Sequence, residues 1–193
     1  MLKIIHRINS IKELKKISSS YWVEVDLRAY GNEIVLSHEA FETWDLFEEY
    51  LNYYKHKLII LNIKESGIEN RVVELMEKFN INNYFLLDCE FPYIYRASRE
   101  NNRKIAIRYS EDEPIEQAFL YKDKVDYLFI DTNTKLPIDK DVINQIKWFK
   151  ICLVSPDRWG RPEDIVKYKK QIQNLGFELD MVMVWKEHIN LWN

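Results

Sequence analysis

Short apolar runs recur along this chain with amphipathic segments between them, and that alternation narrows the available folds more than any other feature. The runs span residues 2–8, 22–28, 57–64, 84–90, 104–110, 127–132, 150–155 and 179–185. Each has the length of a strand, and several are apolar at nearly every position, the pattern of parallel strands covered on both faces. Between them lie stripes at the helical period: Trp44, Phe47, Leu51 and Tyr54; Ile68, Val72, Met76 and Phe79; Ile165, Tyr168, Ile172 and Leu175. Stripes of this kind pack against a sheet. Pro92, Pro114, Pro137, Pro156 and Pro162 fall after strand segments, where a loop turns into the next helix. Gly176 lies just past a periodic helix, as a C-terminal cap does.

Strands and helices alternating in this way predict an α/β fold, a (β/α)8 barrel of TIM type forming one domain over residues 1–193. An open doubly wound sheet is the alternative if one strand is misread. Such barrels typically take ~250 residues and run down to ~200. A chain of 193 residues therefore needs short loops, and only residues 186–193 follow the last strand, so the final helix is truncated. A hydrophobic content of 47% supplies one core. The net charge of -3, without any lysine- and arginine-rich segment, argues against nucleic acid as a partner. Cys89 and Cys152 lie inside apolar runs and match no zinc spacing, so both read as core residues, Cys89 facing the helices. No apolar run approaches the ~20 residues that span a bilayer, so a soluble, cytoplasmic protein without stable membrane insertion is expected.

Polar residues collect at the downstream ends of the runs: His6, Glu24, Asp26, Asn62, Lys64, Asp88, Glu90, Arg108, Ser110, Asp131, Ser155 and Lys186. Active sites of barrels lie at that end of the strands. Glu24 and Asp26 share one face of a strand while Val23, Val25 and Leu27 take the other. Two carboxylates aimed at one small volume repel each other unless a cation or a shared proton lies between them, and oxygen ligands so placed suit Mg²⁺ or Ca²⁺. Asn62, Asp88 and Arg108 are read as lying within strands on the same parity as this pair. His6 and His38 each end an apolar run and bring groups that exchange protons. Lys64, near carboxylates, is expected to keep its charge rather than form a Schiff base. Trp159, in Asp157-Arg158-Trp159-Gly160-Arg161, is placed to wall a pocket, whereas His56 and His188 read as surface residues.

His6-Arg7 ending the first strand, Glu24-x-Asp26 on the second and His38-Glu39 after Gly31 resemble the signature of glycerophosphodiester phosphodiesterases. These are barrel proteins of the phospholipase C-like phosphodiesterase superfamily, with the pattern His-Arg-Gly, Glu-x-Asp and His-Asp. Leu61-Asn62-Ile63-Lys64 is weakly similar to the Glu-x-Lys of that family's third strand. The anchored motifs cover roughly the first third of the chain; beyond it only the strand rhythm matches. The resemblance implies hydrolysis of a small phosphodiester, glycerophosphodiester-like or a phosphosugar, with a divalent metal (Mg or Ca) as cofactor. Glu24 and Asp26 then bind the metal, completed by Asn62 or Asp88. His6 and His38 exchange protons, while Arg7 and Lys64, with Arg108 as a further candidate, bind the substrate. The chain departs from the pattern at Ile8 in place of glycine, at Glu39 in place of aspartate, and at Asn62 in place of the third carboxylate. The family's Pro-Glu-Asn-Thr stretch is absent. An amide oxygen ligates Mg²⁺ or Ca²⁺ but contributes no charge. A catalytically impaired barrel that binds a phosphorylated ligand without turnover is the alternative.

Overall fold

Strands that are apolar on both faces need a layer on each side, and this chain supplies one layer by curling the sheet onto itself. The computed structural model describes residues 1–42 and 44–193. The strands are β1 (Leu2–Ile5), β2 (Trp22–Tyr30), β3 (Glu33–Leu36), β4 (Asp45–Leu46), β5 (Ile59–Ile63), β6 (Tyr84–Leu87), β7 (Ala106–Tyr109), β8 (Tyr127–Ile130), β9 (Lys150–Val154) and β10 (Met181–Val184). The helices are α1 (Ile11–Leu14), α2 (Phe47–Leu51), α3 (Glu69–Lys78), α4 (Phe91–Arg99), α5 (Ile115–Leu120), α6 (Lys140–Ile146) and α7 (Asp164–Asn174).

Parallel pairing runs β6-β5-β2-β1-β10-β9-β8-β7. The remaining gap is bridged where Leu86 pairs with Ile105, its amide donating to the Lys104 carbonyl at 2.9 Å. The pairings thus form a ring, the expected barrel. Its wall has two faces of opposite parity. Ile4, Ile60, Phe85, Leu87, Phe129, Val154 and Met183 fill the interior. Val23, Val25, Leu27, Leu61 and Leu153 point outward onto helical residues such as Val72, Met76 and Ile172. Cys152 belongs to the interior and Cys89 to the outer layer, both buried. The segment after β10 is a short 3₁₀ helix, Lys186–Trp192, and the Trp192 indole donates to buried Ser155 at 2.9 Å.

The structure departs from the sequence reading in three places. First, β2 continues to Tyr30 and turns back through Gly31 and Asn32 into β3, which pairs with it antiparallel, and β4 extends the hairpin. Gly31 takes φ 60° in this turn, which glycine adopts without the usual side-chain penalty. A Gly-Asn pair between apolar segments is a hairpin signal, hidden here because the run Ile34-Val35-Leu36 is so short. Second, α2 begins at Phe47, so Trp44 lies outside it and packs on Tyr30 with ring centroids 4.5 Å apart. Third, Asp88 is not on the inward parity. The interior positions of β6 are Phe85 and Leu87, and Asp88 follows the strand with φ 58°.

Phe85 is fully buried inside the barrel and stacks on Tyr127 at 4.4 Å. Phe85→Ala is expected to cost ~3–5 kcal/mol of stability, whereas Phe119→Ala, on exposed α5, should stay within ~0.5 kcal/mol. Urea unfolding of the two variants measures both, and comparable losses would contradict the interior placement of Phe85.

Candidate active site at the barrel mouth

Glu24 and Asp26 reach the barrel interior from alternate positions of β2, and neither is exposed to solvent. Each buried oxygen must find a donor or a cation. Glu24 accepts from the Arg7 amide at 2.8 Å and from the Asn62 side-chain amide at 2.9 Å. Asp26 accepts from the Asn9 side chain at 2.8 Å, and its other oxygen lies 3.2 Å from the Lys64 ammonium. Register explains the grouping, since Asp26 and Asn62 are direct partners across the β2–β5 ladder. Arg7 takes φ 56°, which turns its amide toward Glu24 just after β1 ends. Burial, and then the Asp26 charge, push the Glu24 carboxyl up to about 8.

Around this pair the strand ends form a polar cleft of about 80 Å³, lined among others by His6, Arg7, His38, Asn62, Lys64 and Arg158. His6 is buried, with Nε2 3.8 Å from Glu24 and its ring on Trp185 at 4.3 Å. Burial, then the charges of Arg158, Arg7, Lys64 and His38, hold its imidazole down to about 2. His6 is therefore neutral at physiological pH. His38 follows β3 on the hairpin. Its Nδ1 bonds Glu39, which leaves Nε2 to accept from the Arg7 guanidinium. The Arg28 guanidinium holds this segment by donating to the His38 carbonyl at 3.0 Å.

The second half of the mouth is an ion-pair chain. Lys64 lies 3.6 Å from Asp88, and Arg108 donates to Asp88 at 2.8 Å, to Asp131 at 2.7 Å and to Glu113 at 3.0 Å. Asp131 also accepts from the Trp159 indole at 2.8 Å. Arg108 thus lines the cleft with all three guanidinium nitrogens committed to carboxylates. Asp88 reaches the mouth but spends its oxygens on Arg108 and Lys64. Trp159 walls the cleft, and Arg158 is the cleft residue that sequence reasoning missed. Among the described residues Arg158 has no carboxylate partner, unlike the other cations of the mouth. The only signal for it was its place in the loop after a strand, beside Trp159.

As to a metal, no group of three or more His, Cys, Asp or Glu side chains is arranged to hold one among the described residues. Beside Glu24, the Asp26 Oδ1 and Asn62 Oδ1 atoms are buried without a hydrogen-bond partner, and oxygens of this kind suit a hard cation.

No family model and no curated protein matches the chain. Several solved structures share the fold, among them two from one organism. One is a candidate glycerophosphoryl diester phosphodiesterase from Agrobacterium tumefaciens, 12% identical, with TM-score 0.69 over 99% of this chain and 96% of that one. The other is a glycerophosphodiester phosphodiesterase from Agrobacterium tumefaciens, 9% identical, with TM-score 0.68 over 98% of this chain and 99% of that one. The chain therefore has the barrel fold of these proteins along nearly its whole length, with almost none of their sequence. No helix among the described residues is long and apolar enough to cross a membrane.

These shifts have opposite consequences for stability. The Glu24 value rises on folding from 4.5 to about 8, so between those limits the folded state holds the extra proton and stability falls as pH rises. The His6 value falls from 6.5 to about 2, so between those limits the unfolded state holds the extra proton and stability falls as pH drops. With divalent ions chelated, Glu24→Gln should flatten the loss above pH 6.5, and His6→Gln should flatten the loss below pH 4.5. Denaturant melts against pH test both; unchanged slopes in either variant would contradict the burial of that group.

Proposed function

We propose that this protein hydrolyses a small phosphodiester, glycerophosphodiester-like or a phosphosugar, with a divalent metal (Mg or Ca) held by Glu24, Asp26 and Asn62. The supporting observation is convergence: two histidines and the cations Arg7, Lys64 and Arg158 line one cleft directly in front of the buried carboxylates. Its volume, about 80 Å³, compares with the ~30 Å³ share of one water, which suits a phosphoryl group rather than the alcohols attached to it. The bound metal would supply positive charge to the phosphoryl oxygens as the transition state forms.

The chain's own residues account for the remaining requirements. Arg7 and Arg158 offset the charge that grows on the non-bridging oxygens. Lys64 adds to that field from its place between Asp26 and Asp88. Hydrolysis adds water to phosphorus, breaks one P–O bond and releases an alcohol and a phosphomonoester. His6, neutral at the outset, accepts the water proton once the negative charge of the bound diester offsets the cations around it. His38, oriented by Glu39 and released from Arg7 as the phosphate arrives, takes a proton from solvent on the freed Nε2 and delivers it to the leaving oxygen.

One observation favours a second reading. The Lys64 ammonium already lies against Asp26, so a built-in cation in place of the metal would leave a barrel that binds phosphorylated ligands without turnover. Calorimetry with Mg²⁺ and Ca²⁺ separates the two. Binding to wild type that is lost in Glu24→Gln/Asp26→Asn is expected, and equal affinity in both proteins would remove the metal site.

Activity toward a glycerophosphodiester and bis(4-nitrophenyl) phosphate is expected to depend on the metal. His6→Ala and His38→Ala should each lower kcat by on the order of 10²-fold or more. The double variant should lose less than the product of the two, because both act in one reaction. Arg158→Gln should raise KM more than it lowers kcat, while Arg108→Gln should chiefly lower stability. A wild type that binds glycerol phosphate yet cleaves no diester with any divalent ion would establish the binding reading instead.

A further inference from the structure

The helices of this barrel run back against the strands, so α5 and α6 end on the rim opposite the cleft. Large apolar side chains are left in solvent there. Phe119 and Leu120, at the end of α5, are 48% and 69% exposed, and Trp148, just after α6, is 52% exposed. The helical period explains the first two, since α5 turns Ala118 and the following Tyr121 inward and leaves Phe119 and Leu120 facing out. These side chains belong to one patch. The Lys122 ammonium lies over the Trp148 ring at 3.6 Å and over the Phe119 ring at 5.9 Å, and Lys147 also reaches Trp148, at 5.1 Å. Lys124 donates to the Leu120 carbonyl at 2.9 Å. One exposed apolar residue is ordinary, but a contiguous group marks a contact surface.

The charges of this patch narrow what covers it. At the mouth, Arg7, Lys64 and Arg108 each lie against carboxylates. Lys122, Lys124, Lys147 and Lys150 have no carboxylate at ion-pairing distance among the described residues. They lie on aromatic faces instead, Lys124 on Tyr121 at 5.7 Å and Lys150 on Tyr127 at 5.2 Å. The carboxylates of the same loop are Asp123 and Asp126, and Asp126 is spent on Arg103 at 2.7 Å. A chain of net charge -3 thus keeps a positive surplus here. Lysine stems laid along rings leave their heads free to reach outward. Exposed rings among unpaired ammonium groups match the boundary of an anionic bilayer, where rings sit at headgroup level and ammonium groups meet lipid phosphates. A second copy of this chain fits poorly, because a two-fold contact would set the same lysines against each other.

We propose that this patch is a peripheral docking surface for an anionic lipid bilayer, which seats the barrel on the membrane by the end opposite the cleft and leaves the cleft facing water. Flotation of the full chain with vesicles of phosphatidylcholine alone, and of phosphatidylcholine mixed with phosphatidylglycerol, tests it. Wild type should bind the mixed vesicles on the order of tenfold more tightly than the neutral ones, and molar salt should remove most of that difference. Phe119→Ala/Trp148→Ala should lower binding to the mixed vesicles by on the order of tenfold. Lys122→Gln/Lys147→Gln removes only charge from surface side chains, and should bring binding to the mixed vesicles down to that of the neutral ones. Phe91→Ala/Tyr95→Ala, at the exposed aromatic pair of α4, should bind as wild type does. None of these readouts depends on turnover in the cleft. No binding to mixed vesicles, equal binding to both kinds, or loss in the α4 variant instead of the patch variants would overturn the proposal. So would a wild-type dimer, seen by sedimentation velocity, that Phe119→Ala/Trp148→Ala disperses.

Discussion

Two carboxylates without solvent exposure, one residue apart on the same face of β2, are the constraint around which the mouth of this barrel is organised. Burying a charge is tolerated only when donors or cations replace the water it loses. The chain meets that demand from every adjacent element: the Arg7 amide after β1, Asn9 beyond it, Asn62 across the ladder on β5, and Lys64 at its end. Positive charge drawn in for Asp26 then needs its own partners. Lys64 is shared with Asp88, Asp88 with Arg108, and Arg108 with Asp131, which holds Trp159. One continuous network thus ties the early strands to the loop after β9, and disturbing it at Glu24 or Asp26 alters the setting of every residue in the cleft.

The same network makes two chemically identical side chains unlike each other. His6 is enclosed among cations and kept neutral. His38 stands on the hairpin with a carboxylate on one nitrogen and a guanidinium on the other. One residue type thus meets two different electrostatic settings at the same mouth.

The hairpin of β3 and β4 sets the shape of the mouth. It carries His38 to the cleft on one side, and on the other it walls a large aromatic hollow with Tyr30, Phe41 and Trp44.

The sequence by itself determined the strand rhythm, the barrel and the parity of β2, because hydrophobic periodicity is a local property that a closed parallel sheet only repeats. Glu24, Asp26, Asn62 and Arg108 were legible as inward-facing for that reason, and Trp159 as a pocket wall from its loop. The tertiary structure alone decided the rest. Asp88 was misplaced because Phe85 and Leu87 take the inward positions of β6, which ends at Leu87, and a left-handed turn, not alternation, brings Asp88 to the mouth. Arg108 was legible as a cleft residue, and only space shows that its fork also meets residues 20 and 23 positions away and Glu113. Arg158 had no motif to announce it, and its distinction is the lack of a carboxylate neighbour among the described residues. Which charges meet depends on distances across the barrel that no local pattern encodes, so partners and protonation emerge only when the ring closes.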